Sequence, residues 1–217
     1  HRPEGAAHIE EARARVREFA SGPSRDIRNF HLAVEQIRAL AEAGDPTAQF
    51  HMGKFFANGT GVIQNAQTAK EWYEKAIAAG ELRAHCNLGL MYFDSEGLEK
   101  SPRAAMDLLE IASNKGEPLA SAYLGKMLIC GDAGDPDPQR GLELIRSAFD
   151  DGSALASALL AGLYFEGDRL PKDIEKGFEW LEKASEKEPA YLPTIGRYLA
   201  TGIKGFKDVE RGIAILE

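Results

Sequence analysis

Small and apolar residues recur along this chain at intervals of 36 residues. The clearest row is small: Gly53, Gly89, Gly125 and Ala161 stand 36 residues apart, and Gly196 follows one residue early. An apolar residue precedes each member of this reference row, and a ring or large aliphatic residue follows three positions later. A period of about 20 to 50 residues is typical of solenoids, in which each unit buries its apolar face against its neighbours. The pattern therefore predicts a stack of similar units.

Each unit contains two amphipathic helices. In one unit, apolar residues at helical spacing predict a first helix over about 81–94 and a second over about 102–115. Gly116 then ends the second helix, because glycine tolerates the left-handed backbone that follows a helix. The pattern predicts an all-α fold, a solenoid of about six two-helix repeats.

The start of each second helix is also regular. A residue type that prefers the N-cap position stands twelve residues after each member of the reference row, at Asn65, Ser101, Asp137, Asp173 and Asp208. Pro102 and Pro138 follow two of these caps, where a missing backbone N–H costs nothing. We therefore predict five capped second helices.

A second row of small residues indicates close packing of the two helices in a unit. Its members stand sixteen residues after the reference row, at Ala69, Ala105, Gly141, Gly177 and Gly212. Bulky residues between units fill neighbouring rows, and they include Trp72 and Trp180. We predict that both tryptophans belong to the packing and do not bind a ligand.

The period extends beyond the units in which it is clearest. Stepping back from Gly53 gives a degenerate first unit with Asn29 as its cap, and the last unit is truncated, with its second helix still running at Glu217. We expect the native chain to continue past this residue. The whole chain, 1–217, is predicted to be one solenoid with units at 5–44, 45–80, 81–116, 117–152, 153–188 and 189–217.

The segment 48–80 resembles a Sel1-like repeat, a subclass of the tetratricopeptide (TPR) superfamily. It has the Leu-Gly-type doublet at Met52-Gly53, the Gly-x-Gly-Val loop at 59–62 and the Trp-Tyr-x-Lys-Ala block at 72–76. The loop at 131–139 departs from this form. The resemblance implies a right-handed α–α superhelix that serves as a scaffold and binds proteins, with the first helix of each unit lining the concave surface.

Composition and charge exclude several other classes. The formal net charge is −8, whereas a nucleic-acid-binding protein needs a basic face. No apolar run approaches the about 18 residues that indicate a membrane-spanning helix. We therefore expect a protein or peptide partner, with neither nucleic acid nor an integral membrane segment, and the compartment stays open.

Catalytic and metal-binding motifs are absent from the sequence. It contains no His-Glu-x-x-His, Gly-x-Ser-x-Gly, P-loop, Ser-x-x-Lys or Lys-Thr-Gly pattern, and its five histidines share no ligand spacing. Cys86 and Cys130 lie eight positions apart in register, a rise of about 12 Å along a helix, beyond the about 7 Å limit for a disulfide. We predict two free thiols, no cofactor, no metal and no enzymatic activity.

The positions of the first helices that packing leaves over form a candidate groove. They combine apolar residues with cations, a surface that suits an extended segment or helix carrying acidic groups. The candidate partner-binding residues are Phe50, Lys54, Asn58, Leu90, Phe93, Lys126, Ile129, Phe165 and Arg197. For Phe93 and Phe165 the alternative is packing between adjacent first helices.

The sequence thus favours an adaptor or scaffold that binds a protein or peptide in a concave groove. The alternative is a regulatory or envelope- or secretion-associated module, with polysaccharide handling as one role, within a larger protein or complex. A self-standing hydrolase is disfavoured because no convergent catalytic motif is found.

Overall fold

The computed structural model describes residues 27–94 and 97–201, and every regular element in these ranges is helical. The α-helices are α1 (Ile27–Glu42), α2 (Pro46–Asn58), α3 (Ala66–Ala78), α4 (Leu82–Asp94), α5 (Pro102–Asn114), α6 (Pro118–Cys130), α7 (Pro138–Asp150), α8 (Ala154–Glu166), α9 (Ile174–Lys187) and α10 (Leu192–Thr201). A 3₁₀ turn, Pro189–Tyr191, precedes α10. These helices confirm the predicted α-solenoid of repeated helix pairs.

The chain forms two compact units, His1–Leu108 and Leu109–Glu217, and the boundary falls within α5. In the first unit, α1 packs on α2, α2 on α3, and α3 on α4. In the second unit, α6 packs on α7, α7 on α8, α8 on α9, and α9 on both the 3₁₀ turn and α10. The helices named here thus bury their apolar faces against helices that are close to them in sequence.

The predicted caps are present at four second helices, α3, α5, α7 and α9. The Asn65, Asp137 and Asp173 side chains each accept a hydrogen bond from the backbone N–H three residues later, at 3.0 Å. Ser101 Oγ accepts the equivalent bond from Ala104 N at 3.4 Å. Each cap satisfies a backbone donor that the helix leaves without an intrahelical partner. The prediction for Asp208 lies outside the described residues.

The predicted cap at Asn29 is wrong. Asn29 lies within α1, which already includes Ile27. Its neighbours in the degenerate unit fit the period better, since Ala33 and Ile37 are buried with 0% and 1% of their surface exposed. The part of the degenerate first repeat (5–44) that precedes residue 27 lies outside the described residues.

Glycines with a left-handed backbone conformation end the second helices, at a constant interval of 36 residues. Gly44, Gly80, Gly116 and Gly152 have φ angles of 91°, 88°, 82° and 102°. An L-residue with a Cβ adopts this conformation only at a steric cost. The equivalent residue after α9 is Glu188, whose φ is −140°, and the 3₁₀ turn follows it. The junction before α10 therefore differs in backbone geometry from the earlier junctions.

The two rows of small residues let helices approach closely. A Cβ placed on Gly125 in α6 would lie 2.6 Å from the backbone oxygen of Gly141 in α7, and the reciprocal distance is also 2.6 Å. In the first unit, a Cβ on Gly53 would lie 2.5 Å from the Tyr73 ring. Each distance is shorter than real Cβ contacts allow. The small rows therefore set the spacing of the two helices in a unit, as predicted.

Both tryptophans belong to the packing. Trp72 packs against the buried cluster of α1 and α2, and Trp180 packs against clusters that include α8 residues. The outer part of each ring is covered by a lysine of its own helix, with Lys75 Nζ 4.2 Å from the Trp72 centroid and Lys183 Nζ 4.1 Å from the Trp180 centroid. Their half-buried state is thus the result of core contact on one side and lysine cover on the other.

A row of buried polar residues, which the apolar pattern does not predict, also follows the 36-residue period. Its members are Gln49, His85, Ser121 and Ser157. Gln49 Nε2 donates to the Ala41 carbonyl at 3.1 Å, and Ser157 Oγ donates to the Trp180 carbonyl at 2.6 Å. These two bonds join a first helix to a neighbouring second helix and give the Gln49 amide nitrogen and the Ser157 hydroxyl a partner within the packed layer, whereas the buried Gln49 Oε1 has no hydrogen-bond partner in the described part of the chain.

Cys86 and Cys130 do not form a disulfide bond, as predicted. Cys86 is buried and Cys130 is half-buried. None of the helices in 27–94 and 97–201 combines the length and the apolar composition that a membrane-spanning helix requires.

Candidate partner-binding site

Phe50, the first predicted groove residue, is buried in the first unit. Only 5% of its surface is exposed, because its ring packs on Tyr73 of α3 with the ring centroids 6.0 Å apart. Two cations cover the remaining surface: the Arg83 guanidinium lies 4.6 Å from the Phe50 centroid and Lys54 Nζ lies 6.0 Å from it. Phe50 is therefore a core residue, which corrects the expectation that it lines an open surface.

A carboxylate holds Arg83 over the Phe50 ring. Arg83 Nε and Nη2 each donate to Glu81 at 2.8 Å, which is the two-point geometry that guanidinium and carboxylate groups favour. These hydrogen bonds hold the pKa of the Glu81 carboxyl below its ordinary value. Arg83 is thus fixed at the surface of this unit by Glu81 and the ring beneath it.

The other predicted residues of the first unit remain accessible. Lys54 and Asn58 are exposed, and Leu90 and Phe93 are half-buried. Lys100 Nζ lies 5.7 Å from the Phe93 centroid. In its described residues, this unit therefore presents cations beside half-buried apolar side chains.

In the second unit, Ile129 and Phe165 are buried, with 1% and 4% of their surfaces exposed. The Phe165 ring packs edge-on against Phe178 at 5.2 Å and against Tyr198 at 5.8 Å between centroids. For Phe165 the packing alternative thus describes the structure, and the expectation of an open position for Ile129 is also corrected. Lys126 is half-buried, and Arg197 is exposed with its guanidinium 6.0 Å from the Tyr198 centroid.

A cavity of about 190 Å³ lies between α8, α9 and the α10 region of the second unit. Its lining consists of Ala158, Ala161, Gly162, Phe165, Leu181, Tyr191, Thr194 and Tyr198. Ala161, Phe165 and Leu181 are buried and form its base, whereas the other five residues are half-buried. The cavity is therefore open to solvent on the side of the half-buried residues.

Missing side chains on α8 create this cavity. A Cβ on Gly162 would meet no atom within 4 Å, so the glycine leaves open space beside the helix. Ala158, one turn earlier on the same face, adds only a methyl group. The 3₁₀ turn then brings Tyr191 to the opposite side of the same space.

The chemistry of the cavity is aromatic and largely uncharged. The Phe165 and Tyr198 rings meet at 86°, and Tyr191 supplies a third aromatic side chain. Burial and the nearby Glu188 carboxylate raise the pKa of the Tyr191 hydroxyl above its ordinary value. No group of His, Cys, Asp or Glu suited to a metal occurs in 27–94 and 97–201. The cavity can thus accept an apolar group and offer hydroxyl hydrogen bonds at its edge.

One feature of the sequence points to this cavity, although the periodic rows by themselves do not predict it. The reference row is followed by Lys54, Leu90 and Lys126 in three units, but by Gly162 in the fourth. The loss of a long side chain at one member of a regular row is the signal. The contributions of Tyr191, Thr194 and Tyr198 had no such signal, because they depend on the altered junction before α10.

Packed helix pairs at a 36-residue period, without a strand among the described residues, define the class of helical repeat proteins. The sequence profile of the Sel1 repeat matches four consecutive segments, 46–81, 82–117, 118–153 and 154–188. Because these segments cover well over half of the chain, the protein belongs to the Sel1 repeat family.

Solved structures of bacterial proteins share this fold. A Sel1 repeat protein from Oxalobacter formigenes is 22% identical with a TM-score of 0.71, over 98% of this chain and 86% of that one. A Sel1 repeat protein from Klebsiella pneumoniae is 25% identical with a TM-score of 0.62, over 84% and 89%. An immunity protein from Pseudomonas aeruginosa is 20% identical with a TM-score of 0.67, over 98% and 81%. No curated protein matches the sequence significantly.

Membership of this family gives the general biochemical class. Sel1 repeat proteins are generally scaffolds for protein interaction, they bind protein partners, and the family is non-enzymatic. The likeness to the immunity protein, at 20% identity, concerns the fold alone.

Proposed function

We propose that this protein is an adaptor that binds a protein or peptide partner through its first helices. The observation that carries the proposal is the solvent-open cavity beside α8. It offers a partner a binding cavity in a chain whose family, the Sel1 repeat proteins, generally binds proteins. Ligand sites for small molecules usually enclose about 300 to 1,000 Å³. The cavity, at about 190 Å³, instead suits a single side chain of a larger partner.

Charge supports a partner with acidic groups. Lys54 in the first unit is exposed, and in the second unit Lys126 is half-buried and Arg197 is exposed. All three follow a member of the reference row directly, and therefore repeat on the first helices. Within a chain of net charge −8, a repeated cationic position favours an acidic segment and steers its approach.

Capture of partners by paired variants tests this proposal. The triple variant Lys54→Glu, Lys126→Glu, Arg197→Glu should bind its partner with an affinity at least about tenfold lower than that of the unchanged chain, because it reverses the charge that attracts the partner. The matched control is Lys115→Glu, Arg146→Glu, Arg169→Glu, which makes the same charge change at exposed positions outside that row. The affinity of partners recovered with the unchanged chain is measured for both variants.

The outcomes distinguish this proposal from other roles. Equal loss of affinity in both triple variants would mean that net charge alone governs binding, and it would reject the first-helix surface. Binding of a polysaccharide instead of a protein would support an envelope-associated module. A circular dichroism spectrum that matches the unchanged chain is required of each variant.

A further inference from the structure

We propose that the cavity between α8, α9 and α10 is a binding site for one aromatic side chain of a partner. The incoming ring takes the place that the protein's own Phe50 ring fills in the first unit. The inference rests on the proposed function only in that a protein or peptide carries the ring.

The internal repeat identifies the equivalent positions. Ala158 and Gly162 of α8 stand three periods of 36 residues after Phe50 and Lys54 of α2. In the first unit, the Phe50 ring and the Lys54 side chain occupy the space beside the helix. In the second unit, a methyl group and a hydrogen atom replace them, and the cavity of about 190 Å³ lies at the same face. The cavity is therefore the space that an aromatic ring and a long side chain have left.

The base of the cavity matches the surface on which Phe50 packs. Leu181 of α9 stands three periods after Tyr73 of α3, and Tyr73 lies directly against the Phe50 ring. Both residues are buried, with 4% and 2% of their surfaces exposed. An apolar surface thus lies beneath the ring position in both units, although only the first unit supplies a ring of its own.

The walls and the volume favour an aromatic ligand. An apolar cavity of about 150 Å³ accommodates benzene, so this cavity is large enough for one ring and too small for a typical cofactor. The Phe165 and Tyr198 rings meet at 86°, and together with Tyr191 they offer an incoming ring both edge and face contacts. Such edge-to-face contacts contribute attraction beyond the burial of apolar area.

Direct titration with small probes tests the ligand class. N-acetyl-phenylalanine amide, N-acetyl-leucine amide and N-acetyl-lysine amide are each titrated into the full chain. The NMR signals of the Ala158 and Ala161 methyl groups and of Thr194 report binding in the cavity. The phenylalanine probe should give saturable shifts at these signals, with an affinity at least about threefold higher than that of the leucine probe and no saturation by the lysine probe. Equal or tighter binding of the leucine or lysine probe, or no saturable shift at all, overturns the proposal.

Variants that fill the cavity provide the second test. Ala158→Phe rebuilds the arrangement of the first unit, and Gly162→Met projects a side chain into open space. Each should abolish saturable binding of the phenylalanine probe and raise Tm by about 2–4 °C. Gly162→Ala is the matched control, because it removes little volume and should leave the probe affinity within about threefold. Retained binding in both filled variants overturns the site.

The converse change tests the internal comparison. Phe50→Ala opens the equivalent space in the first unit, and the phenylalanine probe should then shift signals of Tyr73 that it leaves unchanged in the parent protein. If this variant does not fold, Ala158→Phe and Gly162→Met still decide the proposal. Failure of every probe while an acidic partner still binds would reject the aromatic site and leave the proposed adaptor function standing.

Discussion

At the residue scale, two helical glycines have opposite roles. Gly125 of α6 lies against the Gly141 backbone of α7, so an added methyl group meets atoms that cannot move without shifting a helix. Gly162 of α8 faces open space. The sequence shows a glycine in both places, and only the neighbouring helices decide what each one does.

We expect Gly125→Ala to lower the free energy of unfolding and Gly162→Ala to raise it. The first change forces α6 and α7 apart, at a cost of about 1–3 kcal/mol that outweighs the gain in helix propensity. The second gains roughly 0.5–1 kcal/mol because alanine loses less backbone entropy in a helix. Urea unfolding of the two variants measures both. A Gly125→Ala variant as stable as the parent would contradict the close approach of these helices.

Because of Tyr73, the stability of the first unit changes with pH in the alkaline range. Burial raises the pKa of Tyr73 to about 12, and the hydrogen bond that Asn87 Nδ2 donates to its hydroxyl opposes this rise only in part. The ordinary value is about 10. The fold therefore favours the neutral phenol, and this contribution is complete below pH 10 and is lost as the pH rises through 12.

We expect Tyr73→Phe to flatten the fall in stability above about pH 10. Below that pH the variant should be less stable by about 1 kcal/mol, because the Asn87 amide loses its acceptor. Unfolding in urea at several pH values between neutrality and alkaline conditions measures both effects. A parent and a variant with the same slope above this pH would show that Tyr73 does not titrate on unfolding.

At the scale of elements, the cap and the polar row define each helix pair. Cap residues are legible in the sequence because the hydrogen bond of a cap is local, as between Asp137 and the Arg140 N–H. The buried row that includes Gln49 and Ser157 is not, because its hydrogen bonds reach a different helix. The apolar period predicts which face is buried, and two members of the polar row show that this face also makes hydrogen bonds between helices.

We expect Asp137→Ala to destabilise the second unit by about 1 kcal/mol, because the start of α7 loses the side-chain acceptor of its Arg140 N–H. Asp135→Ala, an exposed change in the same loop, is the matched control and should have little effect. Asp137→Asn should keep most of the parent's stability, since asparagine also caps helices well. Thermal unfolding of the three variants gives the comparison, and equal Tm values for Asp137→Ala and Asp135→Ala would argue against the cap.

At the scale of the whole molecule, contacts between helices near in sequence make stability local. Within each unit, the helices that pack together are close to one another in sequence. In repeat proteins, stability is approximately a sum of repeat and nearest-neighbour contributions. A change in one helix pair should therefore be felt most strongly where it is made.

We expect Gly125→Ala to speed amide hydrogen exchange in α6 and α7, by about tenfold for each 1.4 kcal/mol lost, while α2 and α3 change much less. Exchange measured by mass spectrometry at native conditions resolves these segments. A uniform loss of protection over all four helices would show that the chain opens as one cooperative block, in conflict with local stability.

The sequence by itself determined the period, the class of fold and the helix caps, because each depends on spacing or on hydrogen bonds a few residues apart. Asn29 shows the limit of that reasoning, since a residue in register with true caps lies inside α1. The sequence also predicted the first-helix positions that were candidates for binding a partner. Tertiary structure alone decided which of them are accessible: it buried Phe50, Ile129 and Phe165 and left the space beside Gly162 open. Burial depends on what a neighbouring helix places opposite each residue, and a repeat fixes the position of that neighbour without fixing the size of its side chain.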